Sequence, residues 1–311
     1  MYDLAIIGGG PAAVSAGVYA SRKQLKTIFI TKDFQSQSTV SDGIENWIGT
    51  VSLTGQELAK NLEEHLRAYA GDIVEIKTGE YGEKVEPIDA AQGKKGFKIK
   101  TDKGEYEAKA VLIATGSHRR KLDAINADKF EHKGITYCAS CDGPVFSGKD
   151  VVVIGGGNAG FESAAQLLAY TKSVTLLHRG PEFRADPITV EAVLKDPKMK
   201  AITNAVTTEV LGDNFVNALK YKDAESGEEV EMKTDGVFVE IGNLPSSELV
   251  SDVVELDDYK RIVIDPWNQK TTVEGIWAAG DCTNAKYHQN NIAAGDAVKA
   301  LEDIYVWLKA K

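Results

Sequence analysis

The chain has 311 residues, 43% hydrophobic and 26% charged, enough to bury a substantial core in two domains, and its composition excludes disordered, collagen-like and coiled-coil chains. Thirty-six basic against 46 acidic side chains leave a formal charge of -10, which opposes binding to a nucleic-acid backbone. No apolar run reaches the roughly 18 residues that a membrane-spanning helix needs, and no basic-then-apolar leader precedes the first apolar run, so a soluble, cytoplasmic protein is expected.

Tyr2 to Ile7 is a short apolar run ending in Gly8-Gly9-Gly10-Pro11-Ala12-Ala13, followed by a helix-like Ala/Val/Ser stretch to Ala20 and a second apolar run at Thr27 to Ile30. Strand, tight turn, helix, strand is the grammar of a nucleotide-binding βαβ unit. Thr54 to Gly71 sets Leu58, Leu62, Leu66 and Tyr69 at near-helical spacing and predicts one amphipathic helix. The turn-rich stretch from Gly79 to Gly104, where Phe97 and Ile99 alternate, predicts a β-meander. Val111 to Ile113 then forms a buried strand running into Ala114-Thr115-Gly116-Ser117, an exit from the first domain. The βαβ grammar recurs at Asp150 to Ile154, Gly155-Gly156-Gly157-Asn158-Ala159-Gly160, Phe161 to Ala169 and Val174 to Leu177. Val237 to Gly242 repeats the strand-into-glycine exit, and Ile262 to Ile264 is a strand candidate. Trp277-Ala278-Ala279-Gly280-Asp281 opens onto an Ala-rich helix from about Gln289 to Ala310. The expected fold is α/β: two Rossmann-like nucleotide-binding domains, the second (117–244) inserted into the first (1–116 and 245–311).

In such a fingerprint the first glycine makes the tight turn, the second lets the backbone approach a pyrophosphate, and a third small residue lets helix meet strand. Gly8, Gly10 and Ala13 fill these positions in the first copy, with Pro11 and Ala12 opening the helix. Gly155, Gly157 and Gly160 fill them in the second, with Asn158 at the helix start. Where the first copy should offer a ribose-binding acid, the sequence reads Thr31-Lys32-Asp33; Asp33 comes late and carries no ribose assignment. The second copy reads His178-Arg179-Gly180, with Arg184 beyond. Cationic side chains suit a 2'-phosphate, which favours NADPH over NADH, while an ordinary solvated surface is the plain alternative for both arginines.

Cys138 and Cys141 stand two residues apart in Tyr137-Cys138-Ala139-Ser140-Cys141-Asp142-Gly143-Pro144. Three cysteines cannot build a four-thiolate site within one subunit, and His118 and His132 lack finger-like spacing, so a redox dithiol is expected and no metal. A nicotinamide passes hydride and a dithiol accepts two electrons, with flavin the usual intermediary. This chemistry gives the first fold to FAD and the second to the nicotinamide. The spacing allows an intramolecular disulfide and, during turnover, a mixed disulfide. Asp142 could protonate a leaving thiolate or simply form the turn before Gly143-Pro144. Gly280-Asp281 places a carboxylate at a strand end for ribityl or phosphate-side hydroxyls. Gln289 and Asn290 bring helix-start amides toward the flavin ring, with His288 beside them, and Cys282 is read as a packing residue. The absence of a Ser-His-Asp or Cys-His arrangement and of a P-loop Lys-Ser/Thr excludes hydrolase and kinase chemistry.

These residues carry a family resemblance over essentially the whole chain. Gly8 to Ala12, Ile44-Glu45-Asn46-Trp47-Ile48-Gly49, Ala114 to Gly116, Cys138 to Gly143, Gly155 to Gly160, His178-Arg179 with Phe183-Arg184-Ala185, and Ala279 to Cys282 are similar to the low-molecular-weight thioredoxin reductases, with kinship to the flavoprotein component of alkyl hydroperoxide reductase. The resemblance implies a homodimeric FAD enzyme whose nicotinamide domain carries the dithiol and swivels, with thioredoxin or a similar protein as partner. It implies that Cys138 faces the substrate, that Cys141 faces flavin and that Asp142 is the acid, and it adds Asn46, Thr115 and Gly116 to the cofactor contacts. The chain departs from the family at Phe34-Gln35-Ser36-Gln37-Ser38, where Gly-Gly-Gln is usual, at Gly180, where a second arginine is typical of NADPH users, and at His288-Gln289-Asn290-Asn291, where Arg-Gln and smaller residues are common.

Thioredoxin-disulfide reduction is therefore the leading expectation. An NADH-dependent or otherwise driven reductase of a different redoxin, glutaredoxin-like or peroxiredoxin-linked, would have the same active centre. A flavin oxidase with a secondary dithiol and a non-enzymatic FAD-binding module are further alternatives.

Overall fold

The computed structural model describes residues 1–41, 43–88 and 95–310, and the chain divides into two compact units, Met1–His118 with Leu244–Lys311, and Arg119–Asn243. In chain order the first unit begins with β1 (Tyr2–Ile7), α1 (Pro11–Arg22), β2 (Thr27–Thr31), α2 (Gly55–Ala70), β3 (Val74–Thr78), β4 (Gly82–Pro87), β5 (Phe97–Thr101), β6 (Glu105–Ile113) and, at the crossing, β7 (Ser117–Arg119). The second holds β8 (Ile135–Thr136), α3 (Ala139–Asp142), β9 (Asp150–Ile154), α4 (Asn158–Leu167), β10 (Ser173–Leu177), α5 (Pro187–Leu194), β11 (Met199–Ile202), β12 (Ala205–Gly212), β13 (Val216–Asp223), β14 (Glu229–Lys233) and β15 (Gly236–Val239). The chain returns through β16 (Asn243–Pro245) to β17 (Ile276–Ala278) and α6 (Asn290–Lys309).

In the first unit β1 to β6 and β17 form one sheet in the order β3-β2-β1-β6-β5-β4, with β17 also on β6. The nine-residue β6 serves three neighbours: β1 runs parallel along one edge (Leu4 opposite Ala110), while on the other its start pairs antiparallel with β5 (Phe97 opposite Ala108) and its end parallel with β17 (Ile276 opposite Val111). Side chains alternate between the faces of a strand. Accordingly Leu4 and Ile6 join a cluster with Ala-rich α1 and α6, while Ala5 and Ile7 join Val85, Phe97, Ile99, Leu249 and Val250 on the other face. Both faces are covered, which is why β1 and β2 read as continuous apolar runs. The small Ala12, Ala13 and Ala16 of α1 and Ala293, Ala297 and Ala300 of α6 belong to that one cluster and let the two helices approach closely.

The second unit has a parallel sheet, β11-β10-β9-β15-β8. One face, through Val151, Val153, Leu176 and Phe238, packs on Phe161, Ala164 and Leu167 of α4. The other, through Val152, Ile154, Val237 and Val239, packs on Val210, Leu219 and Tyr221 of the antiparallel meander β12-β13-β14. No periodic signal in the sequence had marked that meander.

Two expectations need correction. Ile262–Ile264 is not a strand: Ile262 bridges Leu256 and Thr283 while Ile264 bridges Thr271, so successive residues meet different segments and no ladder forms. Tyr69 is exposed; the stripe that α2 buries is Leu58, Leu66 and Ala70, and the Tyr69 ring instead meets the Arg22 guanidinium at 5.8 Å. Part of the expected β-meander, residues 89–94, lies outside the described residues.

Candidate functional site

In the first unit Gly8 ends β1 at φ +136°, where a Cβ would lie 2.1 Å from the Ala114 carbonyl oxygen, so only glycine lets β1 turn beside the end of β6. Gly10 caps α1 without a side-chain hydrogen bond, Pro11 opens the helix, and a Cβ on Gly10 would meet only the Cβ of Ser36, at 3.7 Å. The α1 N–H groups thus face an open cradle. Gly280, at φ +78°, lies where a Cβ would stand 3.4 Å from Ala12 and 3.3 Å from Ala293, so the end of β17 meets the starts of α1 and α6. Thr115 donates its hydroxyl to the Ser246 carbonyl, and Gly116 carries φ +68°.

Asp281 has partners the sequence did not show. Gln37 Nε2 donates to its Oδ2 at 3.3 Å and to Ser117 Oγ at 2.9 Å, while His288 Nδ1 lies 3.3 Å from its Oδ1. Asn290 bonds Ser38 Oγ at 2.9 Å, and Asn46 Nδ2 donates to Gln289 Oε1 at 3.2 Å. The loop that departs from the family pattern therefore touches Asp281 and the start of α6. Asp33 is spent locally, its Oδ1 accepting the Gln35 N–H at 3.0 Å. The Cys282 thiol is buried, donates toward the Ile113 and Ala279 carbonyls, and is pushed up to about 11 by burial, in keeping with a packing role.

The second unit repeats the cradle. Gly155, at φ +132°, would put a Cβ 2.1 Å from the Glu240 carbonyl oxygen, and Gly160 one 1.9 Å from the Gly155 carbonyl oxygen. Gly157 caps α4 without a side-chain bond, and a Cβ there would meet nothing within 4 Å. The Asn158 side chain is engaged, Oδ1 accepting the Asp186 N–H at 2.8 Å, and the Arg184 N–H donates to the Gly156 carbonyl at 2.7 Å. These bonds pin the His178–Arg184 loop to the fingerprint. That loop lines a cavity of about 230 Å³, with Arg179 and Arg184 exposed along it. The buried His178 ring fills the space behind Gly156; burial lowers its pKa, and Arg184 and Arg179 add to the effect.

Cys138 and Cys141 are joined by a disulfide, with Cα atoms 5.3 Å apart. Cys138 is the N-cap of the four-residue α3, its Sγ accepting the Cys141 N–H at 3.2 Å. Asp142 closes α3, and its Oδ2 accepts the hydroxyl of the buried Thr136 on β8. Thr136 was missed by sequence reasoning, since no local pattern links position 136 to 142. Gln37 stood in the loop that departs from the family pattern, but nothing local linked it to Asp281, 244 positions away.

A flavin dinucleotide and a nicotinamide dinucleotide each need an open, uncapped helix start beside a tight glycine turn, and Gly10 and Gly157 supply these. The residues present fit both groups. No group of three or more His, Cys, Asp or Glu side chains able to hold a metal ion occurs among the described residues. Likewise no described helix is long and apolar enough to cross a membrane.

The profile of the pyridine nucleotide-disulphide oxidoreductases matches residues 2–297. The chain is 40% identical over 300 residues to a component of alkyl hydroperoxide reductase from Staphylococcus aureus strain MRSA252, and 36% identical over 300 residues to a Bacillus subtilis protein named NADH dehydrogenase. Each alignment covers 96% of this chain and 57% of the relative, so the chain spans little more than half the length of these curated relatives. The crystal structure of thioredoxin reductase from Streptococcus pyogenes superposes with a TM-score of 0.89 at 31% identity, covering 100% of this chain and 99% of that one. Two glycine cradles, each after a strand of a parallel βαβ unit, a closed dithiol and these matches agree: the chain belongs to the pyridine nucleotide-disulphide oxidoreductase family.

Proposed function

We propose that this chain is a thioredoxin-disulfide reductase: it takes electrons from NADPH through FAD to the Cys138–Cys141 disulfide, and the resulting dithiol reduces the disulfide of thioredoxin or a thioredoxin-like protein. The observation that carries the reading is the Cys138–Cys141 disulfide itself, closed across α3 in the unit that also holds the second glycine cradle. FAD, when bound, supplies the step between hydride and thiol chemistry. Gly8, Gly10, Pro11, Ala12 and Ala13 would hold its pyrophosphate on α1. Thr115, Gly116, Gly280 and Asp281 would face its linker, and Asn46, His288, Gln289 and Asn290 would lie at the α6 end. Gly155, Gly157, Asn158 and Gly160 would hold the nicotinamide dinucleotide, with His178, Arg179 and Arg184 at its adenosine end. The enzyme is proposed to work as a cytoplasmic homodimer.

On the substrate side, the Cys138 thiolate attacks one sulfur of the partner's disulfide, forming a mixed disulfide and expelling the other sulfur as a thiolate. Cys141 then attacks Cys138 Sγ, restoring the internal disulfide and releasing the partner's second thiolate. Two electrons pass to the partner, and two protons complete its dithiol. In this reading Asp142, whose carboxyl accepts the Thr136 hydroxyl, is the acid that delivers one of these protons.

The likeness to the alkyl hydroperoxide reductase component favours a second reading, in which the partner is peroxiredoxin-linked and NADH is the donor. Anaerobic reduction of the flavin-loaded protein by NADPH and, separately, NADH, followed by addition of thioredoxin, tests both. Bleaching by NADPH with thioredoxin-dependent reoxidation supports the first reading; bleaching by NADH with reoxidation only by a peroxiredoxin-linked partner replaces it with the second. Cys138→Ser with Cys141→Ser should abolish protein-disulfide reduction while leaving flavin reduction by nicotinamide intact.

A further inference from the structure

In the second unit the strands run from β9 through β10 to β11 on one side and to β15 on the other, so the sheet has its switch point between β9 and β15. Ligands of open parallel sheets enter the crevice at the carboxyl ends of the strands there. Gly155 follows β9 and Glu240 follows β15, in contact at that edge. If the α4 amides at Gly157 hold the pyrophosphate and Arg179 beyond β10 meets the adenosine half, the other half of the dinucleotide would run toward β15. Glu240 stands on that side.

Its carboxyl is partly buried and accepts the Ser163 hydroxyl of α4 at 2.6 Å. Arg119 attracts it and Glu162 of α4 repels it; burial dominates and pushes its pKa up to about 7. A carboxyl at that strand end can change charge across the neutral range, and a nicotinamide ring bound on that side would itself change charge on reduction. The oxidised nicotinamide ring is a cation and the reduced ring is neutral.

We propose that Glu240, oriented by Ser163, is the residue that tells oxidised from reduced nicotinamide in this chain: as a carboxylate it favours the cationic ring, and as a neutral acid it favours neither. The inference rests on the nicotinamide reading of this unit. Its consequence is a proton-linked product affinity, with oxidised dinucleotide held more firmly above neutral pH and released more readily below it. By linkage, binding of the oxidised form would expel a proton from Glu240.

The test is the ratio of two affinities in the flavin-loaded protein, for NADP⁺ and for a tetrahydronicotinamide dinucleotide phosphate that is neutral in its ring and cannot give hydride. The 2'-phosphate and the arginines act equally on both ligands, so the ratio isolates the ring charge. The preference for NADP⁺ should rise roughly five- to tenfold between pH 6 and pH 8, the size expected for one partly screened charge pair. Glu240→Gln should make the ratio flat. Ser163→Ala, which removes a bond to the charged form, should keep the rise but move its midpoint to higher pH. A flat wild-type ratio, or a slope that survives in Glu240→Gln, overturns the proposal while leaving the nicotinamide site standing. Failure of both dinucleotides to bind wild-type protein overturns the nicotinamide reading and the inference with it.

Discussion

Gly8 and Gly155 turn at φ +136° and +132°, and a Cβ on either would lie 2.1 Å from a carbonyl oxygen, that of Ala114 in one unit and of Glu240 in the other. The next glycine is crowded in both units, Gly9 by Thr31 and the Asp33 carbonyl, Gly156 by the His178 ring. The third, Gly10 or Gly157, faces open space and caps its helix. The backbones are copies of one device, whereas the side chains behind them are not. Thr31 is replaced by titratable His178, Ala114 by Glu240, and Ala13 by Gly160. The comparison teaches that one turn geometry serves both units, while the residues that end the neighbouring strands differ and, in the proposed reading, would choose the rest of the ligand.

Substituting the first glycine should break both copies and so test whether they are equivalent. Gly8→Ala and Gly155→Ala each force a left-handed φ on alanine and drive a Cβ into a backbone carbonyl, a combined cost of about 3–5 kcal/mol. Hydrogen exchange should show the loss in the mutated unit. Equal protection in wild type and variant would show that the turn is not held by these contacts.

The Ala114 and Glu240 difference should appear as pH dependence confined to the second unit. Between the ordinary carboxyl range and about 7, folded Glu240 keeps a proton that the unfolded chain has lost. Stability is therefore full at low pH, falls as pH rises through about 7, and is level above it. His178 acts in the opposite sense: its lowered pKa costs stability as pH falls below the ordinary histidine value. Comparing wild type with Glu240→Gln cancels the His178 contribution. From pH 5 to pH 8 the variant should gain about 2 kcal/mol on wild type, read from exchange of the β9 and β15 amides. A constant difference would place the carboxyl in solvent.

Arg179 and Arg184 sharpen the comparison at the ligand. Arg179→Ala or Arg184→Ala should raise the KM for NADPH about tenfold and leave that for NADH nearly unchanged, since in the proposed reading each would remove one charge-assisted bond to the 2'-phosphate. Equal losses for both nucleotides would return the arginines to ordinary surface.

Much of this was legible from short-range chemistry. Glycines at fixed offsets, apolar runs before them and two cysteines two apart are local patterns, and Tyr2–Ile7, Asp150–Ile154 and the Cys138–Cys141 pair appear where those patterns stand. What the sequence hid depends on contacts between distant or unpatterned positions. Gln37 and His288 converge on Asp281 only after the sheet is built, and Thr136 reaches Asp142 from an edge strand of two residues. The meander β12–β14 is half exposed and carries Lys and Glu on its outer face, so its alternation is faint. Ile262–Ile264 misled in the opposite direction, because two of its three residues with strand propensity, Ile262 and Ile264, are dealt out to separate bridges.

The open third glycine offers the smallest effect and the cleanest separation of fold from site. Gly157 has φ -94° and ψ -178°, and Gly10 φ -82° and ψ -172°, extended geometries open to any residue, with no close neighbour in the way of a Cβ. Gly157→Ala and Gly10→Ala should leave stability within a few tenths of a kcal/mol of wild type, because the restriction alanine puts on the unfolded chain offsets its weaker standing as a helix N-cap. A phosphate resting on the helix amides would nevertheless meet the new methyl group, at a cost of about 1 kcal/mol, or roughly fivefold in affinity. Gly157→Ala should weaken only the nicotinamide dinucleotide and Gly10→Ala only FAD, measured by nucleotide titration and by flavin retention on dilution. Crossed effects would show that the two cradles do not divide the cofactors as their strand ends indicate, while an unchanged affinity with unchanged stability would move the pyrophosphate away from these amides altogether.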